Sequence, residues 1–322
     1  MGRLLKSLQP LIPVIIFCLI GPGANAAVGA GKMPVAASIY PVADMVGQVG
    51  GPYLDVTVVV PPGASPHTFE PRPSQVRKIS GARCAFIIGA GFENWAARFF
   101  SESVRESEVV VLSEGVSLIH TVTHYHQEEN VRQGPFKSSP GDHPGRPGSE
   151  ERTANPHIWL DPVIAQAMVG KIIQALCRID FPHRKYYEDS GRAYIARLEA
   201  LDRSIKKAVG QFSHKKYVAF HPAWDYFARR YGLAAVGIIE AAPGRSPTPR
   251  TIKKIVREIQ QHRIRAIFAE PQLNPKVAEV IAAEAGVKVL LLDPIGGPRI
   301  SGRRTYLELM TYNLNILQEA MQ

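Results

Sequence analysis

Cysteine is scarce in this chain, with three in 322 residues, and that scarcity excludes a disulfide framework as the source of its stability. Cys18 lies in an N-terminal apolar block, which leaves Cys84 and Cys177 for one bridge at most. Cys84 sits in an apolar strand-like run and Cys177 in a helix-like one, which favours two separate buried thiols. The metalloprotease pattern HExxH is absent. So is any basic motif interleaved with aromatic residues. The formal charge is +10, but its lysines and arginines are scattered. In "TIKKIVREIQQHRIR", 251 to 265, they alternate with apolar positions at helical spacing, as on a solvated helix face. No nucleic-acid partner is expected.

What is present describes a globular protein: 45% apolar and 20% charged residues, in a chain long enough for two lobes. Arg3 and Lys6 precede the apolar block Leu11 to Ile20, then Gly-Pro-Gly and Ala24-Asn25-Ala26. The block is too short for a stable membrane anchor, and the small residues after it suit a cleavage site. Residues 1–26 therefore predict a cleavable secretory signal and a periplasmic mature protein. Bulky Phe17 before Cys18 disfavours lipidation there.

Short apolar runs then alternate with helical patterns: "PVAASIY" (34–40), a helix from Pro41, "DVTVVV" (55–60), a helix near Ser74, "CAFIIGA" (84–90), a helix from Glu93, and "VVVL" (109–112). This alternation predicts a parallel sheet flanked by helices. Residues 115–156 are polar and rich in Gly, Pro and Ser, and read as one long loop carrying His120, His124, His126 and His143. Asp161-Pro162 predicts an N-cap and first helical residue, opening a helix to about Cys177. The segment 184–212 predicts a longer helix, with Tyr187, Tyr194, Leu198, Leu201, Ile205 and Ala208 on one stripe and Gly191 in its interior. Alternation resumes with "KKYVAFH" (215–221), "LAAVGIIE" (233–240), "RAIFAE" (265–270) and "VKVLLLD" (287–293), with a terminal helix from Thr305. The expected fold class is α/β: an N-terminal lobe over 27–183, a linking helix over 184–212, and a C-terminal lobe over 213–322.

Ligands of such sheets bind beyond the carboxyl ends of the strands. His221 closes "YVAFH", Glu270 closes "IFAE", Asp293 closes "VLLLD", and His67 follows "VTVVVPPGASPH". His157, in "NPHIWLDP", stands between a proline and a buried-looking apolar run at the edge of the first lobe. Each histidine beside prolines also suits a plain loop position hydrogen-bonded to backbone, and Asp293 and Glu270 before prolines also suit turns. If the lobes face each other, three imidazoles and one carboxylate meet in the cleft, a normal donor set for Zn²⁺.

The motifs "PPGASPHTFEPRPSQV", "NPHIWLDP", "AFHPAWDYFARRYGL", "IFAEPQLNP" and "LLDPIGG" occur in this order. Together they resemble the periplasmic zinc/manganese solute-binding proteins of ABC transporters, the cluster A-I type, from about Val35 to the C-terminus. The resemblance implies His67, His157, His221 and Asp293 as metal ligands, with Glu270 behind them orienting a histidine. It implies zinc as cargo, because the position of His221 is glutamate in many manganese-type members; manganese is the alternative ion. Other zinc-type members carry an acidic residue just before the first histidine, where this chain has Pro66. Zinc-type relatives also carry a His-rich acidic loop where this chain has 115–156. Here that loop reads equally as a metal-collecting arm and as a linker. The implied partner is an ABC permease, with the binding protein a monomer and not an enzyme. The rival classes are a zinc hydrolase using Glu270 as its base, and an adhesin, a label some relatives carry.

Overall fold

The computed structural model describes residues 31–79, 81–93, 95, 109–123, 151–240 and 246–322. The expected signal over 1–26, most of the helix expected from Glu93, and His124, His126 and His143 lie outside them.

The first lobe begins with β1 (Met33–Ala37), α1 (Tyr40–Gly50), β2 (Leu54–Val58), α2 (Pro73–Ile79), β3 (Cys84–Ile87) and β4 (Val109–Val111). Its strands form one sheet in the order β2-β1-β3-β4, and every pairing is parallel. The chain steps from β1 out to β2, then returns past β1 to β3. The crevice where the direction reverses, at the carboxyl ends of β1 and β3, is where such sheets bind ligands.

The segment read as a single long loop is more ordered at its ends than the composition predicts. β5 (His120–Thr123) pairs antiparallel with β6 (Glu151–Ala154), so the polar insertion leaves and re-enters the body through a two-stranded ribbon. The signal missed was the short β-branched alternation in "HTVT", too short to stand out against its polar surroundings.

Next come α3 (Pro162–Ile179) and α4 (Arg184–Val209). Asp161 caps α3, accepting from the amides of Val163 at 2.8 Å and Ile164 at 3.3 Å, with Pro162 at the first helical position. The Asp161 carboxylate also takes the Arg230 guanidinium, at 2.8 Å from Nη2. α4 is continuous for 26 residues and buries Tyr187, Tyr194, Leu198, Leu201, Ile205 and Val209 along one stripe. Gly191 does not break it, because the residue serves packing. A Cβ at Gly191 would lie 2.3 Å from Ile173 Cδ1 of α3. Gly191→Leu is therefore expected to overpack this crossing and to cost about 1–3 kcal/mol in chemical denaturation, despite leucine's better helix propensity.

The second lobe comprises β7 (Lys216–Ala219), α5 (Asp225–Tyr231), β8 (Ala234–Ile238), α6 (Pro249–Gln261), β9 (Ala266–Ala269), α7 (Lys276–Ala285), β10 (Lys288–Leu291) and α8 (Tyr306–Met321). Its sheet runs β10-β9-β7-β8, again with parallel pairings, and its reversal point lies between β7 and β9. α5 ends on Gly232, whose φ of 73° places it in the left-handed region that suits glycine. One apolar core takes in Val35 and Phe86 of the first sheet, Tyr217 and Phe268 of the second, and the α4 stripe. Burial across that shared core makes the two sheets and α4 one packed unit. Cys84 is buried in β3 and Cys177 half-buried in α3, with no disulfide between them, so only one of the two thiols is as buried as expected.

Candidate metal centre

The reversal points of the two sheets determine what meets in the cleft. β7 is followed by His221 and β9 by Glu270, on neighbouring strands at the second sheet's crevice. From the first lobe, His67 arrives on the Pro-rich loop after β2. His157 arrives on the segment after β6, just before a short 3₁₀ turn, Ile158–Leu160, whose three residues are buried.

The histidine rings converge through their Nε2 atoms. His157 Nε2 lies 3.1 Å from His67 Nε2 and 3.1 Å from His221 Nε2. Among the described residues, these three form the one cluster of candidate metal-ligating side chains, their donor atoms all within 4.8 Å of one another. Two nitrogens bound to one Zn²⁺ at about 2.0–2.1 Å with near-tetrahedral angles stand roughly 3.3 Å apart, so the spacing already matches a shared ion.

The far side of two rings determines which nitrogen carries the proton. His157 Nδ1 lies 2.8 Å from Asn155 Oδ1. The orientation of the Asn155 amide follows from its nitrogen, which donates to the Pro222 carbonyl at 2.6 Å and to Asp225 Oδ2 at 3.0 Å. Asn155 Oδ1 must therefore face His157, and His157 Nδ1–H donates to it. His221 Nδ1 meets Glu270 Oε1 in the same way, on a carboxylate that is 3% exposed. With both Nδ1 atoms acting as donors, the Nε2 atoms of His157 and His221 turn their lone pairs toward each other. Such an arrangement calls for a cation between them.

Burial disfavours the cationic form of two of the rings. Desolvation, with repulsion from His221 second, lowers the His67 pKa to about 4. The same causes, burial first, hold His157 well below the ordinary imidazole value. Burial raises the Glu270 carboxyl above its usual range, against the opposing pull of His221. A divalent ion held by the three rings would be partly offset by this buried acid through its bond to His221. Phe92 stands edge-on to His67 at 5.2 Å between ring centroids and, with Trp159 and Leu273, gives the cavity apolar walls. The Trp159 indole N–H donates to the Pro294 carbonyl at 2.7 Å, tying the two lobes beside the site.

Asp293 does not join the cluster. It follows β10 as expected, but it is fully buried and its carboxylate is spoken for. Oδ1 accepts from the Gln272 amide at 2.9 Å and from the Ile295 and Gly296 backbone N–H groups, each at 3.0 Å. Oδ2 pairs with Arg303 Nη1 at 2.7 Å. In this arrangement the expected fourth ligand is engaged by the Arg303 guanidinium and stands apart from the three histidines. His120 lies exposed on β5 and outside the cluster. The sequence reading passed over Asn155 and Gln272. Asn155, two residues before a histidine, had the local Asx-turn signal, whereas nothing local marked Gln272.

Residues 35–320 match the model of the family described as "Zinc-uptake complex component A periplasmic", ZnuA. The chain belongs to the ZnuA family. It is 26% identical over 295 residues to the high-affinity zinc uptake system protein ZnuA of Bacillus subtilis (strain 168), covering 90% of this chain and 88% of that one. It is 27% identical to the zinc-binding lipoprotein AdcA of Streptococcus pneumoniae serotype 4, but spans only 56% of that longer protein. Among solved structures, a ZnuA crystal structure superposes with a TM-score of 0.76 at 27% identity, over 90% of this chain and all of that one. A zinc-bound ZnuA deletion mutant superposes at 0.75 with 26% identity, covering 90% and 98%. A manganese-bound periplasmic metal binding protein from candidatus liberibacter asiaticus, 18% identical with a TM-score of 0.73 over 89% and 99% of the two chains, shares the ZnuA fold.

Proposed function

We propose that this protein captures zinc outside the cytoplasm and delivers it to an ABC permease for uptake. The observation that carries the reading is the facing pair of Nε2 lone pairs on His157 and His221, with His67 Nε2 alongside at 3.1 Å from His157. The ion is the cargo. His67, His157 and His221 hold it, and Glu270 orients His221 and balances its charge. Imidazole nitrogen suits Zn²⁺ better than Mn²⁺, which prefers sites rich in oxygen. A periplasmic location and a permease partner accord with the family's description as a periplasmic zinc-uptake component. A hydrolytic role finds less support, since the one candidate base, Glu270, is bound to a ligand histidine and buried behind it.

Metal content and chelator-competition affinity of the mature protein test the proposal. One tightly held zinc per chain, with weak manganese binding, is the expected result. Preferential manganese binding would overturn the choice of ion, and no stoichiometric binding of either would end the proposal. Glu270→Gln keeps an acceptor for His221 Nδ1–H but removes the buried charge. It is expected to lower zinc affinity about 10- to 100-fold, measured in the same competition assay, with the thermal midpoint of the metal-free protein checked alongside.

A further inference from the structure

The three histidines leave one position of a tetrahedral ion to be filled, and the residue expected there is turned away. The structure offers a neighbour in its place. β9 runs into Glu270-Pro271-Gln272-Leu273, a tight turn closed by the Leu273 N–H on the Glu270 carbonyl at 3.1 Å. Proline at the second place of the turn stiffens it. Glu270, behind His221, and Gln272 are thereby held on one rim, and both line the cavity that contains His67, His157 and His221.

The direction of the Gln272 amide is determined by its partner. Asp293 Oδ1 lies 2.9 Å from Gln272 Nε2, and a carboxylate paired with Arg303 accepts hydrogen bonds without donating them. The amide nitrogen must therefore face Asp293, and Oε1 is the polar atom left over. That oxygen is buried and has no hydrogen-bond partner among the described residues, a costly condition for an amide carbonyl unless a ligand completes it. Arg303 is held in turn, with its guanidinium carbon 4.6 Å from the centre of the Tyr312 ring.

We propose that Gln272 Oε1 is the fourth donor to the metal, presented to the ion by Asp293, which acts as a positioning residue locked by Arg303. The inference rests on the zinc-binding reading above. It replaces an acidic fourth ligand with a neutral one, and leaves the nearby carboxylates, Glu270 behind His221 and Asp293 behind Gln272, one bond removed from the ion. Asp293 then affects the ion through Gln272.

Zinc competition titrations and the visible absorption of the Co²⁺-loaded protein distinguish the arrangements. Gln272→Leu is expected to lower zinc affinity about 10- to 100-fold and to alter the Co²⁺ bands as one donor is exchanged for water. Gln272→Asn is at home in a turn and keeps the amide but is one methylene too short, so it should repeat both changes, with the metal-free melting temperature showing that the fold survives. Wild-type affinity and a wild-type Co²⁺ spectrum in both variants would overturn the inference. It would also fall if Asp293→Asn changed the Co²⁺ spectrum while Gln272→Leu left it unchanged, because the donor would then be Asp293. A wild-type protein that binds no zinc at all would instead remove the function proposed above, a separate and recognisable failure.

Discussion

His157→Ala is expected to cause the largest single loss of metal affinity, because His157 Nε2 is the atom from which both other ring nitrogens stand 3.1 Å away. Zinc sites built from four protein donors bind with about 10–16 kcal/mol, so one donor accounts for roughly a quarter of that and its removal costs roughly 10²- to 10³-fold. The alanine also leaves Asn155 Oδ1 without the ring N–H it accepts at 2.8 Å, and it opens space beside Trp159, whose ring centroid is 5.2 Å from that of His157. Competition titration reads the affinity, and the metal-free melting temperature shows whether the fold survives. A variant that keeps wild-type zinc affinity would show that the three rings do not share an ion.

The second large effect is on pH dependence. His67 titrates near 4 in the fold because burial, and then repulsion from His221, disfavour its cation, whereas in the unfolded chain it titrates near the ordinary value of about 6.5. Between these values the unfolded state binds more protons, so this residue's contribution to stability rises with pH. That contribution is complete above about pH 6.5, is lost progressively as pH falls, and is fully gone below about 4. The loss amounts to about 3 kcal/mol from His67 alone. His157, also held low by burial, acts in the same direction. The buried carboxyls of Glu93 and Glu270, raised by desolvation, act in the opposite one, so a bare melting curve mixes the terms. The difference between wild type and His67→Asn, taken in metal-free urea titrations from pH 7 to 4, isolates the histidine. Wild type should lose about 3 kcal/mol relative to the variant across that range; a flat difference would contradict the burial argument. The same lowering means that protons compete weakly for the Nε2 atoms of His67 and His157 at neutral pH, where a metal carrier must work.

Much of the architecture was legible because it rests on short-range regularities. Two runs of apolar strands alternating with helical patterns predicted two parallel sheets, and Asp161-Pro162 marked a helix start through local capping chemistry. The α4 stripe was visible at helical spacing, although its end comes at Val209 rather than 212. Gly191 looked like a weakness from propensity alone, since only the crossing with α3 shows the close approach of Ile173 that requires it. The β5–β6 ribbon was missed because its partners are separated by a long polar insertion, and the four-residue β-branched run of β5 is too short to announce a pairing across such a gap.

The chain's own order determined its fold class, its exported-protein character as an expectation, and which residue types stand at the strand ends: His221, Glu270, Asp293 and the His67 loop. Those follow from local hydrophobic periodicity and from the rule that parallel strands present their carboxyl ends together. Direction was another matter. Asp293 and His221 stand at equivalent strand ends, yet one turns inward to Arg303 and two backbone amides while the other faces His157. Only the tertiary structure decides this, because a side chain's orientation is chosen by the strongest partner that packing brings within reach, and Arg303, ten residues downstream, comes within 2.7 Å only once the loop after β10 has folded back on itself.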